Sequence, residues 1–145
     1  MNLSVEIRGT KLLQKEIREK GDEIKKAVKT AVDLTAYAVE TSAKKKLKSD
    51  GHIITGRLWS SIHPELKEGD AYNYTDNNGK SHDGSLGEQI ADDEAIVGTN
   101  VEYGPYIEYG TKYIRADSFL GFAAVEQRKK LVARVKKEIE KALGK

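Results

Sequence analysis

Val97-Gly-Thr-Asn-Val-Glu-Tyr-Gly-Pro-Tyr-Ile-Glu-Tyr-Gly-Thr-Lys-Tyr-Ile-Arg-Ala-Asp-Ser-Phe-Leu120 is the stretch that decides the fold. It contains a near-repeat, Val101-Glu102-Tyr103-Gly104 and then Ile107-Glu108-Tyr109-Gly110. Four of the chain's seven tyrosines lie in it, at positions 103, 106, 109 and 113. Pro105 suits the first turn of a helix, where its missing N–H costs nothing. Gly110 suits the position just past a helix, where the backbone often turns left-handed. Steps of three and four place Tyr106, Tyr109 and Tyr113 on one helical face, and Tyr106, Ile107, Tyr109 and Phe119 are expected to form the junction between this short helix and the last one. We therefore read a strand ending near Thr99, a tight turn and one or two helical turns from Pro105 to Tyr109. A Gly110-Thr111 break and a linker then lead into the last helix.

That last helix runs from Ser118 to about Leu143. Its apolar stripe is Leu120, Ala124, Leu131, Val135 and Ile139, with Val132 and Leu143 beside it. Upstream of the key stretch, Ala95 to Val97 form a strand core behind the acidic run Asp92-Asp93-Glu94. Residues 68–88 change character: glycines at 69, 79, 84 and 87 interleave with Asn, Asp and Ser, and Asn78-Gly79 is a hairpin-type signal. A flexible loop is expected there. Leu58 and Ile62 flank Trp59 four residues apart and predict a short helical turn running into a strand. From Lys11 to Lys48 the period is helical, with Ile24, Val28, Ala31, Thr35, Ala38 and Ser42 on one side and Leu34 and Val39 widening the stripe. Gly21-Asp22 divides this region into a short helix, with Leu13 and Ile17, and a long one. Leu3, Val5 and Ile7 alternate with polar residues as a half-buried strand, and Thr10 can cap the short helix after it. The sum is one α+β domain over residues 1–145. A small, mainly antiparallel sheet, from residues 3–8, parts of 58–74 and 90–99, is packed by a long N-terminal and a long C-terminal helix.

Composition narrows the chemistry. The chain has no cysteine, which excludes disulfides, thiolate metal sites and a cysteine nucleophile. No signal peptide is expected from Met-Asn-Leu-Ser-Val-Glu-Ile, and no apolar run approaches the roughly 18 residues of a membrane span. Net charge is only +2 but unevenly spread. Residues 11–48 carry 11 basic and 6 acidic side chains, 49–120 carry 5 and 13, and 121–145 carry 8 and 3. Asymmetry of this kind concerns partners, not fold. It makes Asp92, Asp93 and Glu94 one candidate contact surface and Arg128, Lys129 and Lys130 another.

Catalytic constellations are weak. Gly79-Lys80-Ser81 lacks the earlier glycine of a phosphate-binding loop, where Tyr74 stands instead. Glu102 and Glu108 have no evident substrate pocket between them, and a structural role for Glu108, accepting hydrogen bonds from a turn or pairing with a basic residue, is the better expectation. His52, His63 and His82 are dispersed without ligand spacing. No enzyme activity, metal or other cofactor is expected. Lys44-Lys45-Lys46 and Arg128-Lys129-Lys130 leave open a basic nucleic-acid-binding module as the alternative function.

The run Tyr103-Gly104-Pro105-Tyr106-Ile107-Glu108-Tyr109-Gly110-Thr111, with Ala116 and Phe119-Leu120 after it, resembles the tail-completion (head–tail joining) proteins at the neck of long-tailed double-stranded DNA phages. That family typically shows Tyr-Ala-Pro-Tyr-Val-Glu-Phe-Gly-Thr, then Ala-Arg-Pro-Phe-Leu and a long helix. Thr55, Gly56 and Leu58, with Ser61-Ile62, form a weaker second match. Gly104 stands where Ala is usual, Asp117-Ser118 where Arg-Pro is usual, and Phe122 where a second Pro is common. Without the Pro of that Arg-Pro pair, Asp117 or Ser118 can cap the last helix directly. The resemblance implies a structural virion protein of a phage or prophage, made in the host cytoplasm. It would form a homo-oligomeric ring against a neck adaptor or stopper on one side and a tail tube or terminator protein on the other. DNA would make at most a passing contact, and no membrane is involved.

Overall fold

Alternating Leu3, Val5 and Ile7 form β1 (Leu3–Arg8), an edge strand of a three-stranded antiparallel sheet. The computed structural model describes residues 2–8, 21–52, 56–67, 72–87 and 90–144. Expectations for Thr10, Leu13, Ile17 and Thr55 lie outside the described residues. The other elements are α1 (Asp22–Ser49), α2 (Arg57–Ser61), β2 (His63–Leu66), β3 (Asn73–Thr75), β4 (Ser81–Asp83), β5 (Glu94–Thr99), α3 (Gly104–Tyr109) and α4 (Phe119–Ala142). The architecture is α+β, as read from the sequence.

β5 is the central strand, between β1 and β2. Register puts Val5, Val97 and Pro64 in one row and Ile7, Ala95 and Leu66 in the next, all on the face that meets the helices. Residues directly opposite in an antiparallel pair share a face. The outer face carries Glu6, Ile96 and Glu65 in one row and Ser4, Gly98 and His63 in another. It is covered by the segment around Leu86, whose N–H donates to Glu65 Oε1 at 2.7 Å and whose carbonyl accepts from the Asn2 amide. Ile96 and Leu86 are buried as a result, which explains why β5 is buried on both faces.

α1 packs on all three strands and lies antiparallel to α4. Its inner face alternates Ile24, Val28, Val32, Val39 and Leu47 with Ala27, Ala31, Ala36 and Ala43, and the small residues allow close approach. Ser42 bonds Glu126, and Arg134 donates to Thr35 at 3.3 Å and to Gln127 at 2.7 Å. α4 has 24 residues and is therefore about 36 Å long. The stripe expected along it holds at Leu120 and Val135 and is half-buried at Leu131 and Ile139, whereas Val132 and Leu143 are exposed.

One correction concerns the piece read as a loop over 68–88. Between Asn73 and Asp83 it is a hairpin, β3 paired with β4 in the register Thr75↔Ser81. Asp76 makes the turn. Its Oδ1 accepts from the N–H groups of Asn78 and Lys80, and Gly79 takes φ +82. The hairpin is fastened by stacked rings: His63 on Tyr72 at 3.8 Å between centroids, Tyr72 by Tyr74 at 6.4 Å, and Tyr74 on His82 at 5.0 Å. His63 and His82 therefore bracket an aromatic column.

Candidate assembly interface

Glu108 organises the end of the molecule where α3 meets α4. It is one of two buried residues on α3, the other being Gly104. Its carboxylate accepts from Leu120 N–H at 2.9 Å, Gly121 N–H at 2.9 Å and Ser118 O–H at 2.7 Å. These amides belong to the first turn of α4, where backbone donors lack partners within the helix and negative charge is favoured. Glu108 thus fills the structural role expected of it. The direct cap expected from Asp117 or Ser118 is corrected: neither side chain accepts a helix N–H, and Ser118 instead donates to Glu108. Gly121 leaves room for this arrangement, since a Cβ there would sit 2.8 Å from Glu108 Oε1.

Pro105 lies in the first turn of α3, and Gly110, at φ +76, ends the helix, both as predicted. A Cβ at Gly104 would stand 3.1 Å from Thr99 Cγ2 and at ordinary contact distance, 3.5 Å, from Leu58 Cδ1, so an alanine there would need only a small shift of Thr99. Leu58 is buried, and Ser61 bonds Thr99 behind it. Phe119 and Leu120 are buried in the core, and Ile107 and Tyr103 pack against it.

The three tyrosines depart from the expected pattern. α3 ends at Tyr109, so Tyr113 lies beyond it, and Tyr106, Tyr109 and Tyr113 are 57%, 71% and 88% exposed. The junction expected from Tyr106, Tyr109, Ile107 and Phe119 is therefore made by Ile107, Phe119 and the Glu108 carboxylate. The tyrosines face outward with Ile114, Phe122 and Val125, so most of the exposed large apolar side chains fall within residues 106–125.

Asp117, standing where the resembled family has Arg, clasps the loop between α3 and α4 to the end of α1. Its N–H donates to Ile107 O at 2.8 Å, and Lys46 Nζ is 3.2 Å from its Oδ1. His52 Nε2 is 2.9 Å from Oδ2 but off the direction of a hydrogen bond, so that contact is electrostatic and depends on His52 carrying a proton. Lys46 also pairs with Asp50 and lies 5.4 Å from the Phe122 ring centre. Its ammonium is pushed up in pKa by Asp50 first and Asp117 second.

Arg57 grips Glu102 with two nitrogens, at 2.9 and 3.1 Å, and reaches Tyr74 Oη at 3.4 Å. The Glu102 carboxyl is held below its usual range by its own backbone N–H and by Arg57. Beside this pair, between the hairpin turn, α2 and α3, a cleft of about 410 Å³ opens to solvent. Trp59 stands at its edge, with Lys44 Nζ 4.9 Å from the ring centre. Sequence reasoning missed this cleft, because it brings together residues from 51 to 107 that share no local pattern.

The two charged surfaces sit on different elements. Asp92 is exposed in the turn before β5, with Asp93 and Glu94 half-buried beside it, at the end of β5 away from α3. Arg128, Lys129 and Lys130 are exposed on α4 and have no ion-pair partner among the described residues. The two groups do not meet within the chain. Among the described residues, no three His, Asp or Glu side chains converge as a metal site would require, and no helix is long and apolar enough to cross a membrane. Comparison with protein-family models, with curated proteins and with solved structures gives no match.

Proposed function

We propose that this chain is a structural virion protein of a phage or prophage, joining or completing the tail at the head–tail interface as one member of a homo-oligomeric ring. The observation that carries the proposal is the architecture of residues 103–122. Family-like motif residues Glu108, Phe119 and Leu120 are buried and build the joint, while Tyr106, Tyr109, Tyr113 and Phe122 are turned outward on it. The joint is fixed by hydrogen bonds to Glu108 and carries several exposed aromatic side chains, which suits assembly by surface complementarity with no bond chemistry. Neck adaptor or stopper and tail tube or terminator proteins are the proposed neighbours.

The test is genetic and direct. Deleting the gene in a host that carries the prophage is expected to yield separate heads and tails by electron microscopy. The chain itself is expected among the proteins of purified wild-type virions. Intact particles without it would overturn the proposal. The Arg128-Lys129-Lys130 cluster, without an ion-pair partner among the described residues, favours a second reading, a nucleic-acid-binding module. That reading requires DNA affinity falling steeply with salt, whereas a ring held partly by apolar surface persists.

A further inference from the structure

Two features near α3 complement each other. The first is a knob. Thr111 Oγ1 accepts from the N–H groups of Tyr113 at 3.1 Å and Ile114 at 3.0 Å, and Thr111 N–H donates to Ile114 O at 2.8 Å. Gly110 closes the base of this loop so tightly that a Cβ would lie 2.7 Å from Ala116 N. Tyr113 stands at the apex, 88% exposed, between Lys112 and Arg115. Lys112 Nζ lies 5.7 Å from its ring centre. A loop tied by its own backbone has little conformational entropy left to lose on binding.

The second feature is the 410 Å³ cleft. Leu58, Trp59, Tyr103 and Ile107 supply its apolar walls, and Asp76 and Asn78 part of its polar rim. Its size falls in the range of roughly 300–1,000 Å³ that encloses small ligands, which accommodates one phenol ring. Asp76 is the carboxylate on its lining, paired with His82, and Glu102, 70% exposed at its side chain and paired with Arg57, stands beside it, while Lys44 lies over Trp59 at the opposite edge. The carboxyls of Asp76 and Glu102 both lie below their usual range, so they remain ionised at neutral pH.

We propose that Tyr113 of one copy of this chain seats in the Trp59 cleft of the next, with Lys112 and Arg115 set against the Asp76 and Glu102 side of its rim. The ring packs on Trp59 and Leu58, and the hydroxyl reaches the polar edge at Asn78. Knob and hole are different surfaces, so the contact is head to tail and generates a ring or an open chain. The opposed charges speed encounter and fix register. As the self-contact of a neck ring it rests on the proposed function, but the contact itself needs only a second copy.

Trp59 is the only tryptophan, so its fluorescence reports on the cleft. Sedimentation equilibrium and Trp59 emission are measured together from micromolar to millimolar protein. Wild type is expected to associate, with Trp59 emission shifting in step. Tyr113→Ala is expected to weaken association about tenfold or more, as an anchoring aromatic does, while Tyr113→Phe retains most of it. Both variants are expected to unfold like wild type, because Tyr113 is exposed. A monomer across the whole range, association unchanged by Tyr113→Ala, or association that leaves Trp59 emission unmoved would each overturn the proposal. Failure of the neck reading is distinguishable. A chain that associates through Tyr113 but is absent from virions removes that function and leaves the contact. Virion rings that form with Tyr113→Ala do the reverse.

Discussion

Replacing Glu108 by Ala removes the one acceptor for three donors. Leu120 N–H and Gly121 N–H have no partner within α4, and Leu120 is 1% exposed. An orphaned buried donor costs about 1–3 kcal/mol, and a favourable charge at a helix N-terminus contributes up to about 2 kcal/mol. Relief of the buried carboxylate's own desolvation offsets part of this, leaving a net loss of roughly 3 kcal/mol. At about 2–4 °C per kcal/mol for a domain near this size, Tm falls by about 6–12 °C. Glu108→Gln keeps one acceptor oxygen, which takes the position bonded by Ser118 and Gly121, but turns an NH₂ toward Leu120 N–H, and loses roughly half as much. Gly121→Ala probes the same joint from the other side. Ala favours a helix by about 1 kcal/mol over Gly, yet its Cβ would meet Glu108 Oε1 at 2.8 Å and Ser118 Oγ at 2.6 Å. Glu108 is buried and held by three bonds, so it does not yield, and Gly121→Ala is expected to destabilise by roughly 1–2 kcal/mol. In the Glu108→Ala background the obstruction is gone, Ser118 is free to rotate, and the same substitution becomes stabilising. The double-mutant cycle is read by urea and thermal unfolding monitored by circular dichroism at neutral pH. A Glu108→Ala change within about 0.5 kcal/mol of wild type, or a Gly121→Ala effect of the same sign in both backgrounds, would refute the capping argument.

Two further outcomes concern the charges. The Asp76 carboxyl is held below its ordinary value of 3.8 by His82 first, then by the N–H groups of Lys80 and Asn78. A depressed carboxyl contributes stability that is complete above 3.8 and lost as pH falls through the lower folded value. The hairpin is therefore expected to loosen in acid, seen as loss of the shifted ring signals of Tyr74 and His82 by NMR, and Asp76→Asn should lack this acid-dependent step; ring signals that persist in wild type well below that pH would count against it. Asp92→Lys is expected to leave thermal stability within about 0.5 kcal/mol while impairing assembly at low salt more than at moderate salt; equal assembly at every salt concentration would show that charge asymmetry does not join the subunits.

The strands and long helices were legible because their periodicity is set by burial. Leu3, Val5 and Ile7 alternate, and Ile24, Val28, Ala31 and Thr35 step at helical spacing. Pro105 and Gly110 marked the ends of α3 through backbone constraints that act locally. The tyrosines misled because spacing shows which residues share a face, not whether the face is buried. α3 is only six residues long, and its buried positions are Gly104 and Glu108. A charged residue is placed inside because α4 needs an acceptor, a requirement set by another element further along the chain. The His63–Tyr72–Tyr74–His82 column was equally hidden, since it depends on how β2 meets a hairpin with few apolar residues. Asp117 looked like a helix cap, but its partners, Lys46 and His52, lie far upstream at the end of α1.

The central place of β5 in the sheet constrains biosynthesis. Its antiparallel partner β1 pairs Val5 with Val97, so the strand made first waits for one made 92 residues later. At about 5–20 residues per second, translation alone imposes a delay of roughly 5–20 s. Throughout that interval the apolar face of α1 has neither the complete sheet nor α4 to cover it, because α4 follows β5 in the chain. Closing so long a loop is also entropically slow. The nascent chain is thus expected to depend on chaperone shielding, and a slowed ribosome upstream of residue 94 should lower the yield of folded protein more than the same pause placed after β5 has been made.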